Sequence, residues 1–206
     1  RGNYQFFCED MNSRAMHKLS LEGDLHRALE KGEFHLHYQP QVDIKNNVII
    51  GAEALIRWAH PEKGNISPVE FIPAAESCGL IEPIGDWVLQ TACRQHRAWI
   101  EAGLPPVRVA VNLSARQFLR GDLIEKVAQA LSACGMQPEY LELELTESML
   151  MQDVENTIKM LHELKLMGVR LSIDDFGTGY SSLSYLKRFP LDILKIDRSF
   201  VMDLGT

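Results

Sequence analysis

From Val48 to Asp197 the chain alternates between short apolar runs and longer segments with helical spacing, and this limits the fold more than any other feature. Strands are expected over 48–58, 107–113, 140–145, 192–197 and the run that ends in Asp174-Asp175. Helices are expected between them, over 67–79, 83–102, 122–134, 153–167 and 181–187. Gly79, Gly103, Gly135 and Gly168 stand where four of these stop. Ser67-Pro68-Val69-Glu70 has the form of a helix start, with Ser67 as cap and Glu70 reaching back to it. Before this region come a helix over 17–31, with Leu19, Leu21, Leu25, Ala28 and Leu29 as its apolar positions and Gly32 as its stop, and a strand over 34–41. Strand–helix alternation requires parallel strands joined by crossover helices. A doubly wound open sheet and a closed (β/α)8 barrel both satisfy it. No Gly-x-Gly-x-x-Gly follows an early strand, which weakens dinucleotide binding.

The chain carries 28 acidic residues against 21 lysines and arginines, a net charge of -7, which opposes non-specific binding to long nucleic acids. A small anionic substrate stays open, because a metal ion can bridge acid to phosphate. No apolar run approaches the roughly 18 residues of a membrane span. Cys8, Cys78, Cys93 and Cys134 form no Cys-x-x-Cys pair, so reduced thiols and a cytoplasmic setting are expected. The seven histidines form no ligand-like cluster.

The chemistry lies at the strand ends. In Val169-Arg-Leu-Ser-Ile-Asp-Asp-Phe-Gly-Thr-Gly179 a strand closes on two carboxylates and opens into a glycine-rich loop. Alternation of side chains would send Asp174 and Asp175 to opposite sides. The same alternation puts Glu53, Asn112, Glu144 and Lys195 opposite the apolar faces of their strands. If those apolar faces meet the helices, Glu53, Asn112, Glu144 and Asp174 converge as all-oxygen ligands on the other side. Oxygen ligands without Cys or His suit Mg²⁺ or Mn²⁺. Such ions polarise phosphoryl oxygens and activate water. Lys195 would hold that water or stabilise transition-state charge, and Arg57 would grip a phosphate. The residues alone therefore read as a divalent-metal phosphoryl hydrolase.

Several motifs in order and spacing then resemble one family. Tyr38-Gln39-Pro40, Gly51-Ala-Glu-Ala-Leu-Ile-Arg-Trp58, Phe71-Ile-Pro-Ala-Ala-Glu76, Val111-Asn-Leu-Ser114, Glu144-Leu-Thr-Glu147, Asp174-Asp-Phe-Gly-Thr-Gly-Tyr-Ser-Ser-Leu183 and Lys195-Ile-Asp197 are similar to the EAL domain of cyclic di-GMP phosphodiesterases. The resemblance implies a TIM-like (β/α)8 barrel of EAL type with an antiparallel first strand, and cleavage of cyclic di-GMP to linear pGpG with Mg²⁺ or Mn²⁺. It implies Glu53, Asn112, Glu144 and Asp174 as metal ligands, Asp175 as ligand of a second metal, and Lys195 beside the attacking water. Glu147 resembles the acid that anchors the loop after the Asp pair. Gln39, Leu55, Arg57, Pro73 and Asn112 would meet substrate. The loop and helix after Asp175 would form homodimer contacts.

The resemblance also implies domain limits. Residues 1–16, with Tyr4-Gln-Phe-Phe7, look like the tail of a GGDEF domain, and residues 17–206 like the EAL domain. The family pattern continues past Lys195, so the chain is expected to be a piece lacking the last strands, cut from a tandem GGDEF–EAL parent that upstream segments could anchor to the inner membrane. No membrane contact by this domain is expected. Two other readings stand beside the enzyme: an EAL-fold receptor that binds cyclic di-GMP with weak or no turnover, and an unrelated metal hydrolase on a similar barrel.

Overall fold

Strand order decides between the two architectures. In the computed structural model, which describes residues 9–151, 153–177 and 186–202, seven strands form one sheet. They are β1 (Phe34–Asp43), β2 (Val48–His60), β3 (Gly64–Ile66), β4 (Arg108–Asn112), β5 (Leu141–Thr146), β6 (Arg170–Phe176) and β7 (Ile193–Ile196). The order is β1-β2-β4-β5-β6-β7, with β3 paired off β2. A doubly wound sheet reverses its strand order at a switch point. Here, β3 apart, each strand lies beside the one before it without reversal, the TIM-like arrangement. The pairs β2–β4, β4–β5, β5–β6 and β6–β7 are parallel. Residues 44–47 alone join β1 to β2, and a link so short permits only an antiparallel pair.

The chain divides into two compact units, Arg1–His35 with Ile56–Ile84, and Leu36–Leu55 with Gly85–Thr206. In the first, α1 (Glu9–Lys31) packs on α2 (Pro68–Cys78). Leu21, Leu25, Phe34, Trp58 and Phe71 are buried there. The rings of Phe34, Trp58 and Phe71 lie 5.6–5.8 Å apart, and Trp58 Nε1 donates to Glu33 Oε2 at 3.0 Å. Buried Asp24 accepts from Lys63 Nζ at 2.6 Å and from Arg27.

In the second unit the crossover segments are α3 (Ile81–Glu101, from Gly85 onward), α4 (Ala115–Leu119) with α5 (Leu123–Cys134), and α6 (Glu147–Leu150) with α7 (Val154–Leu166). Val109, Val111, Leu141, Leu143, Leu145, Leu171 and Ile173 are all at most 1% exposed, and Val127, Leu131, Leu161 and Leu164 are buried with them. At roughly 1.5–3 kcal/mol per large aliphatic side chain, this apolar layer is the main force holding the parallel strands in register.

Several expectations need correction. The first helix begins at Glu9 rather than 17, because its opening turns carry helix-forming residues without an apolar stripe. Ser67 takes the extended cap conformation, but its hydroxyl makes no cap hydrogen bond. The capping box forms instead at Ser114 and Gln117. The strand β3, the helices α4 and α6 and the helix Arg198–Met202 were not expected; three to five residues are too few to display a period. Most of the helix expected over 181–187 lies outside the described residues, as do Tyr4-Gln-Phe-Phe7.

Candidate metal centre

The register of the parallel strands builds the site. Leu141, Leu143 and Leu145 turn one way from β5, so Glu142 and Glu144 turn the other. Asn112 pairs with Glu144, Glu144 with Ser172, and Thr146 with Asp174. Leu113 donates its N–H to the Glu144 carbonyl at 2.9 Å, which carries the ladder one step past β4 and fixes Asn112 beside Glu144. On β2, Glu53 pairs with Ala110. From there its Oε1 accepts a 2.8 Å hydrogen bond from Asn112 Nδ2. Glu53, Glu144 and Asp174 each bring an oxygen to within 4.8 Å of the others.

Lys195 enters this cluster from β7. Its Nζ lies 2.7 Å from Glu144 Oε2, 3.0 Å from Glu53 Oε2 and 3.5 Å from Asp174 Oδ1. Glu144 is 1% exposed. Neither of its oxygens has a hydrogen bond of good geometry, so the contact with Lys195 is an ion pair and not an aligned donor. Burial pushes the Glu144 carboxyl up to about 8 against the pull of Lys195, and Glu53 and Asp174 add to the rise. Burial works against the Lys195 ammonium, yet Glu144 and then Glu53 outweigh it and hold its pKa above the ordinary lysine value. A buried carboxylate with open lone pairs is costly. Three clustered carboxylates and an amide oxygen are the donor set of a hard cation, so the residues fit a divalent metal.

The side-chain alternation fails at Asp175. Its φ is +52°, left-handed backbone, and the β6–β7 register shifts between Ile173 and Phe176. Burial, then Asp174 and Asp197, raise the Asp175 carboxyl above its ordinary value, with Lys195 pulling the other way. Glu147, at 4% exposed, accepts the Gly177 N–H on Oε2 at 3.2 Å. This ties the start of α6 to the residue that follows the end of β6.

Of the other residues singled out from the sequence, Gln39 is exposed on β1 and Leu55 half-buried on β2, both in the unit that holds the cluster. Arg57 and Pro73 belong to the other unit. Arg57 donates to the Ile56 carbonyl at 2.8 Å, and Pro73 is an exposed residue inside α2. Two acids were given no role from the sequence. Asp192 accepts the Leu171 N–H at 2.8 Å and meets Lys165 Nζ at 2.7 Å, fixing where β7 starts beside β6. The signal was an acid opening a strand. Asp197 accepts from Ser199 and lies near enough to Asp175 to raise its carboxyl. Its place two residues beyond Lys195 was the available clue.

The chain is thus a TIM-like α/β protein whose strand ends gather carboxylates, an amide and a lysine, a group that could hold a cation. The model of the EAL domain matches residues 22–206, and the chain belongs to that family. The bifunctional diguanylate cyclase/cyclic di-GMP phosphodiesterase MucR of Pseudomonas aeruginosa is 50% identical over 205 residues, which are 100% of this chain and 30% of MucR. The cyclic di-GMP phosphodiesterase NbdA of the same organism is 47% identical over 204 residues, 99% of this chain and 26% of NbdA. The solved structure of the MucR phosphodiesterase in complex with cyclic di-GMP matches with a TM-score of 0.87 at 50% identity, covering 90% of this chain and 75% of that one. The chain thus spans less than a third of the curated relatives' length. No helix among the described residues is long and apolar enough to cross a membrane.

Proposed function

We propose that this chain carries the catalytic centre of a divalent-metal phosphodiesterase that hydrolyses cyclic di-GMP to linear pGpG in the cytoplasm. The observation that carries the reading is the meeting of Glu53, Asn112, Glu144 and Asp174 around Lys195 at the strand ends. The names of MucR and NbdA, and the ligand in the MucR structure, support the substrate.

Glu53, Asn112, Glu144 and Asp174 would hold one Mg²⁺ or Mn²⁺, and Asp175 a second. When bound, such ions polarise the scissile phosphoryl group and make water nucleophilic near neutral pH. The chain's own groups do the rest. Lys195 Nζ, placed among three carboxylates, stays protonated and donates to the attacking water or to the charge that develops on the phosphoryl oxygens. Asn112 keeps Glu53 oriented through its amide. Glu147 holds Gly177, and with it the direction of the chain leaving Asp175. Gln39, Leu55, Arg57, Pro73 and Asn112 are the proposed substrate contacts, Arg57 as a phosphate partner. The loop and helix after Asp175 are the proposed homodimer contact, and residues 1–16 the proposed tail of a GGDEF domain.

The test is turnover. The chain is incubated with Mn²⁺ and cyclic di-GMP, and the nucleotides are separated by chromatography. We expect linear pGpG, lost in Asp174→Asn. Undiminished turnover in Glu53→Ala would overturn the reading.

A further inference from the structure

Beside the metal-side cluster stands a buried polar group to which the proposed hydrolysis gives no role. Ser172 is fully buried, and its Oγ has no hydrogen-bond partner among the described residues. Leu171 and Ile173, on either side of it, belong to the apolar layer, so Ser172 shares the other face of β6 with Arg170 and Asp174. The register gives its neighbours on that face: Glu144 on β5 and Ile193 on β7. The Ile193 side chain offers no acceptor. Glu144 Oε1 is buried like the serine hydroxyl and equally without a hydrogen bond, while its Oε2 lies 2.7 Å from Lys195 Nζ. Glu142, the other carboxylate on this face of β5, pairs instead with Arg170 and has Arg108 Nε 3.9 Å from its Oε2. Asp174 stands two residues along the same strand, about 6.6 Å away by strand rise. A buried donor without an acceptor thus lies beside a buried acceptor without a donor.

We propose that Ser172 is a positioning residue for Glu144: its hydroxyl donates to Glu144 Oε1, directly or through one water, and keeps Oε2 turned toward Lys195 and the cation site. Adjacent strands lie about 4.8 Å apart, so a turn about χ1 or a single bridging water closes the gap. The bond satisfies two groups whose burial would otherwise cost the fold. It also removes rotational freedom from the carboxylate before any ion arrives, which is how hydrogen-bonded ligands tighten a metal site. Ser172 touches neither substrate nor ion and acts only through Glu144. The inference rests on the proposed reading of Glu144 as a metal ligand.

Mn²⁺ is titrated by calorimetry, without substrate, into the metal-free wild type, Ser172→Ala and Asp174→Asn. We expect the Mn²⁺ dissociation constant to rise about tenfold in Ser172→Ala, and the Mn²⁺ concentration for half-maximal turnover to rise by the same factor. Alanine is smaller than serine and fits the same space, and thermal melts of the metal-free proteins confirm folding. A hydroxyl with a structural part alone would shift the metal-free melting temperature and leave the Mn²⁺ constant unmoved. That result overturns the inference, as does a crystal structure in which Ser172 Oγ bonds neither Glu144 nor a water shared with it. The control separates the two readings. A wild type that takes up no Mn²⁺, or binds it no better than Asp174→Asn, overturns the proposed function and this inference with it. A wild type that binds Mn²⁺ and is matched by Ser172→Ala overturns the inference alone.

Discussion

Lys195 Nζ stands within 3.5 Å of oxygens from Glu53, Glu144 and Asp174, and so balances charge that a bound cation would otherwise balance. Its removal should act twice. Hydrolysis by Lys195→Ala should fall by about 10²-fold or more. The metal-free protein should lose about 1–3 kcal/mol, because buried carboxylates remain without a counter-charge. Mg²⁺ should then stabilise the variant more than the wild type, which calorimetry with and without the ion reads directly. His96 makes a separate prediction. It is 4% exposed, stacks on Tyr140 with ring centroids 5.2 Å apart, and its Nε2 has no hydrogen-bond partner among the described residues. Burial lowers its pKa, opposed by a backbone hydrogen bond at Val107. The unfolded chain therefore takes up a proton near pH 6.5 that the folded chain refuses, and stability falls as pH drops through that value. His96→Phe keeps the stacking and should flatten this slope in thermal melts between about pH 7.5 and pH 5.5. An unchanged slope would assign the acid sensitivity to other groups.

At the scale of elements, two close approaches set the positions of strand ends. A Cβ on Gly85 of α3 would stand 2.1 Å from Gln117 Nε2. Gln117 is buried and completes the capping box of α4, which begins three residues after Asn112. Gly85→Ala should push Gln117 out of the box and cost about 1–2 kcal/mol. Gly85→Ala combined with Gln117→Ala should cost less than the sum of the two, since the clash and the cap are one interaction. Denaturant melts of the three variants measure the difference. Asp192 acts in the same way for β7, holding the Leu171 N–H and Lys165 together. Asp192→Ala should cost about 1–2 kcal/mol in stability. It should also slow hydrolysis, because the start of β7 sets where Lys195 stands; an activity unchanged at the lower stability would separate the two effects.

For the molecule as a whole, the cluster predicts linkage between cation and fold. Mg²⁺ or Mn²⁺ at about a hundred times its dissociation constant should add about 2.7 kcal/mol of stability. The gain should disappear in Glu144→Gln or Asp174→Asn. A thermal midpoint indifferent to both ions in the wild type would argue against a folded-state metal site at Glu53, Glu144 and Asp174.

The alternation of strand and helix was legible in the sequence because each parallel strand is buried on its apolar face and reads as a run of Val, Leu and Ile. The oxygen-bearing side chains of the cluster were legible for a related reason: a polar residue at a fixed parity within such a run must point away from the helices. Asn112, Glu144 and Asp174 were placed in this way. The sequence left open whether the sheet is doubly wound or TIM-like, since local pattern carries no information about which strand lies beside which. Only the pairing of β2 with β4, β4 with β5, β5 with β6 and β6 with β7 decided it. The left-handed backbone at Asp175 also leaves no trace in the hydrophobic pattern, because one residue is too short to display a period. The meeting of Lys195 with Glu53, residues 142 positions apart, belongs to tertiary structure for the same reason. Periodicity fixes the side on which a residue lies, and only the packing of distant elements fixes what it touches.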